Sequence, residues 1–141
     1  MLRDLQQTIA DYIKRDALFA DVPVIPAVKG RIADEIETAL GKLGVVVIIE
    51  PLRGPLTHSG GKISTEPQFE INVIENVTIN RARGSYKTAD DLTERICWLL
   101  RGGQTPPPPI YAVSWELAGD LTDEFGYRVE AKTREPLELS P

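Results

Sequence analysis

Five consecutive β-branched residues, Val45-Val46-Val47-Ile48-Ile49, constrain this chain more than any other stretch. Side chains of a strand alternate between two faces, so a run without a polar position has no face to give to water. It predicts a central strand buried on both sides. The run is also far short of the ~20 apolar residues that cross a bilayer, and no membrane span is expected.

The surrounding sequence supplies elements to pack against it. Leu2, Leu5, Ile9, Tyr12 and Ile13 recur at helical spacing and predict a first helix over residues 2–15. Asp21-Val22-Pro23-Val24-Ile25-Pro26 reads as a short edge strand, because its two prolines lack the N–H that a central ladder position needs. Ile32, Ile36, Leu40 and Leu43 form the stripe of a second helix. Asp34, Glu35 and Glu37 sit near its positive end, and Gly44 lies just past its C-terminus. From Pro51 to Glu66 the chain turns to Pro, Gly, Ser and Thr, which predicts a projecting loop or hairpin arm. Gln68 to Glu75 alternates, with Phe69, Ile71 and Val73 facing inward. After a loop over Asn80–Ser85, Thr88 and Asp91 form a capping-box pair for a helix from Ala89 to about Leu100, ended by Gly102-Gly103. Pro106–Pro109 is a stiff extended lead into Tyr111–Leu117, which pairs as a hairpin with Tyr127–Ala131 through a turn at Asp120–Gly126. The segment from Glu135 to Pro141 is expected to fray.

The order predicts one α+β domain over residues 1–141, with a mixed, mostly antiparallel sheet of four to five strands and helices packed on one face. With 42% hydrophobic and 26% charged residues, 141 residues have the composition of an ordinary folded domain. The N-terminus alternates apolar and charged residues and lacks the apolar centre of an export signal. Cys97 is the single cysteine, so no internal disulfide forms, and a reducing cytoplasm is the expected compartment. A net charge of −5 disfavours a broad phosphate-binding surface, which makes direct nucleic-acid recognition an unexpected role.

The sequence presents no catalytic, cofactor-binding or metal-ligating set. His58 is the only histidine and lies in the Gly-rich segment beside Ser59 and Lys62. A small hydrolase or nucleotide-binding enzyme could be imagined around those three, but a nucleophile needs an oriented base and zinc needs several ligands. Ser59-Gly60-Gly61-Lys62 lacks the leading glycine and the Ser or Thr after lysine that a phosphate loop requires. Cys97 sits mid-helix as a small hydrophobe. Asp90, Asp91 and Glu94 suit a helix N-terminus. Arg53, Lys62, Arg81, Arg83 and Lys87, with His58, form the one basic concentration, in two loops flanking a single predicted strand. They are candidate subunit or partner contacts, complementary to the acidic stretches Asp34–Glu37 and Asp120–Glu124. Heterologous contacts of that kind build rings.

Phe69-Glu70-Ile71-Asn72-Val73-Ile74-Glu75-Asn76, then Asn80-Arg81, then Thr88-Ala89-Asp90-Asp91-Leu92-Thr93-Glu94-Arg95-Ile96 resembles the tail terminator (tail completion) proteins of bacteriophages and prophages. In that family a strand ending in a Glu-Asn-like pair runs into an Asn-Arg loop and a helix opening with Thr-Ala. The order of elements is similar over nearly the whole length. The resemblance implies a homohexameric ring that caps the tail tube, stops its polymerisation and offers a docking face to a head-completion protein. It implies residence in the bacterial host cytoplasm during assembly and in the virion afterwards. A head-tail connector or neck accessory protein is the neighbouring alternative.

Overall fold

The computed structural model describes residues 2–27, 32–84, 87–101, 110–120, 124–133 and 136–140. Helix α1 (Leu2–Lys14) leads through a 3-10 turn (Ala17–Phe19) to strand β1 (Val24–Pro26), helix α2 (Ile32–Leu43) and strand β2 (Val45–Ile49). A hairpin of β3 (Leu56–Ser59) and β4 (Lys62–Thr65) precedes β5 (Gln68–Asn76), a short helix α3 (Val77–Ala82) and helix α4 (Ala89–Arg101). The chain closes with β6 (Ile110–Asp120), β7 (Glu124–Thr133) and β8 (Leu137–Glu138). The main sheet is five-stranded in the order β1-β2-β5-β7-β6, with β1 and β2 parallel and the other neighbours antiparallel. A second sheet, β3-β4-β8, holds the arm. The α+β class and the mostly antiparallel main sheet are those the sequence predicts, with β1 at the edge and every β2 residue buried.

The placement of the helices differs in one respect. On one face, α1 (Leu5, Ile9, Ala10, Ile13) and α4 (Leu92, Ile96, Leu99, Leu100) cover Val45, Val47, Ile49, Phe69, Ile71, Val73, Val129 and Ala131. On the other, α2 lays Ile36, Ala39 and Leu40 over Val46, Ile48 and Ile74. Helices therefore pack on both faces, not one. The apolar run of β2 is the reason: burying Val46 and Ile48 stabilises by on the order of 3–6 kcal/mol for the pair, and only a helix on the second face supplies that cover. Beyond α2 that face is polar, with Arg128 bridging Glu70 and Glu116 at 3.1 Å each.

The expected loop at Asn80–Ser85 begins as helix α3. Asn76 caps it, its side-chain oxygen accepting from the Ile79 N–H at 3.1 Å, and this draws the strand directly into a helical turn. Gly44 has φ +77°, and a Cβ there would collide with the backbone of Asn80, so the turn after α2 admits glycine alone. Leu137–Glu138, in the segment expected to fray, pairs with β4, and the Leu139 N–H donates to the Ile63 carbonyl at 2.8 Å. Pro106–Pro109, Gly102-Gly103 and the centre of the Asp120–Gly126 turn lie outside the described residues. Among the described residues no helix is long and apolar enough to cross a membrane.

Candidate interaction surfaces

The glycine-rich stretch is a regular hairpin. Ser59 pairs with Lys62 across a two-residue turn in which Gly60 and Gly61 take φ of 60° and 78°. Two successive positive φ values define the tight turn whose twist matches paired strands, and glycine adopts them without steric cost. The Gly-Gly pair that suggests a phosphate loop is thus used to reverse the chain. Residues directly opposite in a ladder share a face, and neighbours in a strand do not. Leu56, His58, Ile63 and Thr65 therefore stand on one face of the arm, and Thr57, Ser59, Lys62 and Ser64 on the other. Leu56 is 71% exposed and Ile63 44%. His58 is exposed and, among the described residues, no side chain bonds its imidazole. Ser59 points to the opposite face, so the hydrolytic pair does not assemble.

The six basic candidates do not form one surface. Arg53 lies at the root of the arm, bridged to Gln68 and 3.9 Å from Glu130, while Lys62 is 3.8 Å from Glu138. Arg81 is exposed in the last turn of α3. Arg83 donates to the Leu43 carbonyl at 2.9 Å, tying α3 to the end of α2, and Lys87 is ion-paired with Asp21. That pairing holds the Asp21 carboxyl below its usual range. The first group sits at the Gln68 end of β5 and the second beyond Asn76, about 26 Å away at ~3.3 Å per residue. Of the acidic stretches, Asp34, Glu35 and Glu37 are exposed on α2, and the middle of Asp120–Glu124 lies outside the described residues.

The segments that carry the family resemblance meet at a buried joint. Glu75, 2% exposed, accepts from the Ala89 N–H at 2.7 Å and from the Asn80 side-chain amide at 3.1 Å. The same amide donates to the Lys87 carbonyl at 2.9 Å. Thr88 caps α4, its hydroxyl accepting from the Asp91 N–H at 3.2 Å, so the predicted capping pair is realised through its threonine. A carboxylate at a helix N-terminus satisfies a free N–H and interacts favourably with the helix dipole. Glu75, Asn76, Asn80, Thr88 and Ala89 thus set the angle at which α4 leaves the sheet. The signal for Glu75 was present in the sequence: it shares the parity of Phe69, Ile71 and Val73, and alternation carries a carboxylate inward.

A cleft of about 350 Å³ opens between α4 and the β6–β7 hairpin, lined by Asp90, Thr93, Glu94, Cys97, Trp115 and Tyr127. Trp115 meets Tyr127 edge to face, ring centres 5.9 Å apart. A hydrogen bond to Asp90 raises the Tyr127 hydroxyl above its ordinary pKa, and burial raises the Cys97 thiol. A thiol pushed up in this way is a poor nucleophile at neutral pH. The Thr93 hydroxyl is buried and unpartnered among the described residues. β6 is an edge strand, and Val113, Trp115 and Leu117 on it are each more than half exposed. Alternation identifies this strand in the sequence but does not reveal that, among the described residues, its outer edge has no neighbouring strand.

Among the described residues no three His, Cys, Asp or Glu side chains converge as a metal site. No protein-family model matches the chain, and no curated protein sequence does. In fold it is similar to a chain in the virion of a native gene transfer agent particle, with a TM-score of 0.63 and 17% identity over 95% of this chain and 94% of that one. At that identity the likeness shows a common fold.

Proposed function

We propose that this protein is a structural component of a phage-type virion, and within it the tail terminator: a homohexameric ring that caps the tail tube and joins it to the head. The observation that carries this reading is the near end-to-end likeness in fold to a virion chain. The resemblance to tail terminators supports the finer assignment, because its residues are those that fix α4 against β5. The arm exposes Leu56 and Ile63, and β6 exposes Val113, Trp115 and Leu117, apolar side chains of the kind that meet neighbouring copies. The role requires no catalysis. The net charge of −5 suits a ring that lets DNA pass without gripping it. The partners in this reading are further copies of the chain, the tail tube protein and a head-completion protein, met first in the host cytoplasm and then in the virion.

Native mass spectrometry with negative-stain microscopy tests the ring, and co-sedimentation with purified tail tubes tests the docking. The expected result is a six-copy species, or rings formed on tube ends. A strict monomer at high concentration that also fails to bind tubes refutes the proposal.

A further inference from the structure

We propose that the hairpin arm of one copy seats its Leu56–Ile63 face in the cleft between α4 and the β6–β7 hairpin of the next copy. This inference rests on the ring reading and specifies its subunit contact.

Two unsatisfied surfaces on the same chain lead to it. The arm exposes Leu56 and Ile63 on one face, and the cleft exposes Trp115 beside a buried, unpartnered Thr93 hydroxyl. An arm does not fill the cleft of its own chain, since no arm residue lines it. The arm leaves the main sheet at Gln68, whereas Tyr127 lies opposite Val73, five residues along β5 and roughly 16 Å away. Two different patches that fit one another make a head-to-tail contact, which closes into a ring when the rotation permits.

Charge identifies the occupant. From Pro51 to Glu66 the arm carries Arg53, His58 and Lys62 against one acidic residue, Glu66 at its root, whereas exposed Asp90 and Glu94 rim the cleft. Lys62 stands on the opposite face beside the turn, and among the described residues its ion pair is an exposed contact with Glu138 at 3.8 Å; solvent screens that contact, and at the edge of the seated arm the long side chain can exchange it for a carboxylate on the neighbour's rim. His58 shares the face of Leu56 and Ile63 and brings a polar, exposed imidazole to the rim that Asp90 and Glu94 form. The volume of about 350 Å³ falls in the range that accepts a small group of side chains.

The native Cys97 in the cleft allows a direct test. In the Ile63→Cys chain, oxidation by copper phenanthroline in air should join the introduced thiol to Cys97 of the neighbouring copy, the two thiols losing their hydrogens to the oxidant. A non-reducing gel should show a ladder of covalent oligomers, abolished when Cys97→Ser is added. Lys62→Glu should weaken self-association about tenfold, and adding Glu94→Lys should recover most of it. Circular dichroism should be unchanged in both, because these side chains are exposed. Rings that persist in Lys62→Glu while Ile63→Cys gives no ladder overturn the arm-in-cleft contact and leave the ring reading intact. Monomers throughout overturn both. Attachment of Cys97 to added tail tube protein in place of a second copy, read with a maleimide–diazirine cross-linker that alkylates the Cys97 thiol and inserts into any nearby chain on illumination, assigns the cleft to that partner and overturns the proposal.

Discussion

Replacing Glu75 with alanine removes the acceptor on which the start of α4 depends. In the native chain the carboxylate takes two hydrogen bonds, from the Ala89 N–H at 2.7 Å and the Asn80 amide at 3.1 Å, at a site only 2% exposed. A hydrogen bond to a charged group is worth about 1.5–3 kcal/mol, and a buried donor left without a partner adds a desolvation penalty. Asn80 keeps its bond to the Lys87 carbonyl, so the second loss is partial, but Ala89 is fully buried and finds no water in exchange. The sum is about 3–5 kcal/mol, a large share of the ~5–15 kcal/mol by which a domain of this size is stable. Urea unfolding followed by circular dichroism measures it directly, and the melting temperature should fall by about 10–15 °C. Glu75→Gln retains one acceptor for the Ala89 N–H, and a flip of the Asn80 amide that lets its oxygen accept from the new NH2 group gives up the bond to the Lys87 carbonyl, so one hydrogen bond is lost either way. That variant should lose only about 1–2 kcal/mol. A Glu75→Ala protein within about 1 kcal/mol of the parent would refute the claim that this carboxylate holds the strand-to-helix joint.

Gly44→Ala should cost about 2–4 kcal/mol by the same unfolding measurement, since a left-handed backbone is unfavourable for alanine and its Cβ meets the Asn80 backbone. Replacing both Gly60 and Gly61 with alanine, where nothing crowds a Cβ, should destabilise the arm alone: amide exchange should quicken in β3 and β4 and stay slow in β2 and β5. Asp16 accepts from Arg95 at 2.7 and 3.1 Å, and this bond, working against burial, lowers its folded pKa. A depressed folded pKa contributes stability that is complete above the unfolded value near 3.9 and is lost as pH falls through the folded value. Asp16→Asn should therefore cost about 1–2 kcal/mol at pH 7 and flatten the acid limb of the stability profile below about pH 4, as read from urea midpoints between pH 2 and 7.

Much of the architecture was legible because it is written in local periodicity. The stripe Leu5, Ile9, Ile13 requires a helix whatever it packs against, and Phe69, Ile71, Val73 require a strand with one wet face. Gly44 marks a left-handed turn by its lack of a side chain. What escaped depended on local chemistry that competes with pattern. Val77-Thr78-Ile79 is β-branched and prolongs the look of a strand, yet the Asn76 cap turns it into α3. Leu137-Glu138 is too short to register as an element, and becomes one only because β4 offers an open edge. The basic residues looked like neighbours because their loops flank one strand. That strand has two ends, and Arg53 and Lys62 are at one while Arg81, Arg83 and Lys87 are at the other.

The amino-acid pattern alone determined the class of fold, the inward faces of the helices and strands, and the left-handed turn at Gly44, since each follows from the geometry of a few consecutive residues. Tertiary structure decided that α2 covers the second face of β2, that Glu75 caps α4, and that Trp115 on the outermost strand of the main sheet borders a cleft. These are relations between segments distant in sequence. Burial, hydrogen bonding and exposure at such places are properties of the assembled neighbours, which no local repeat encodes.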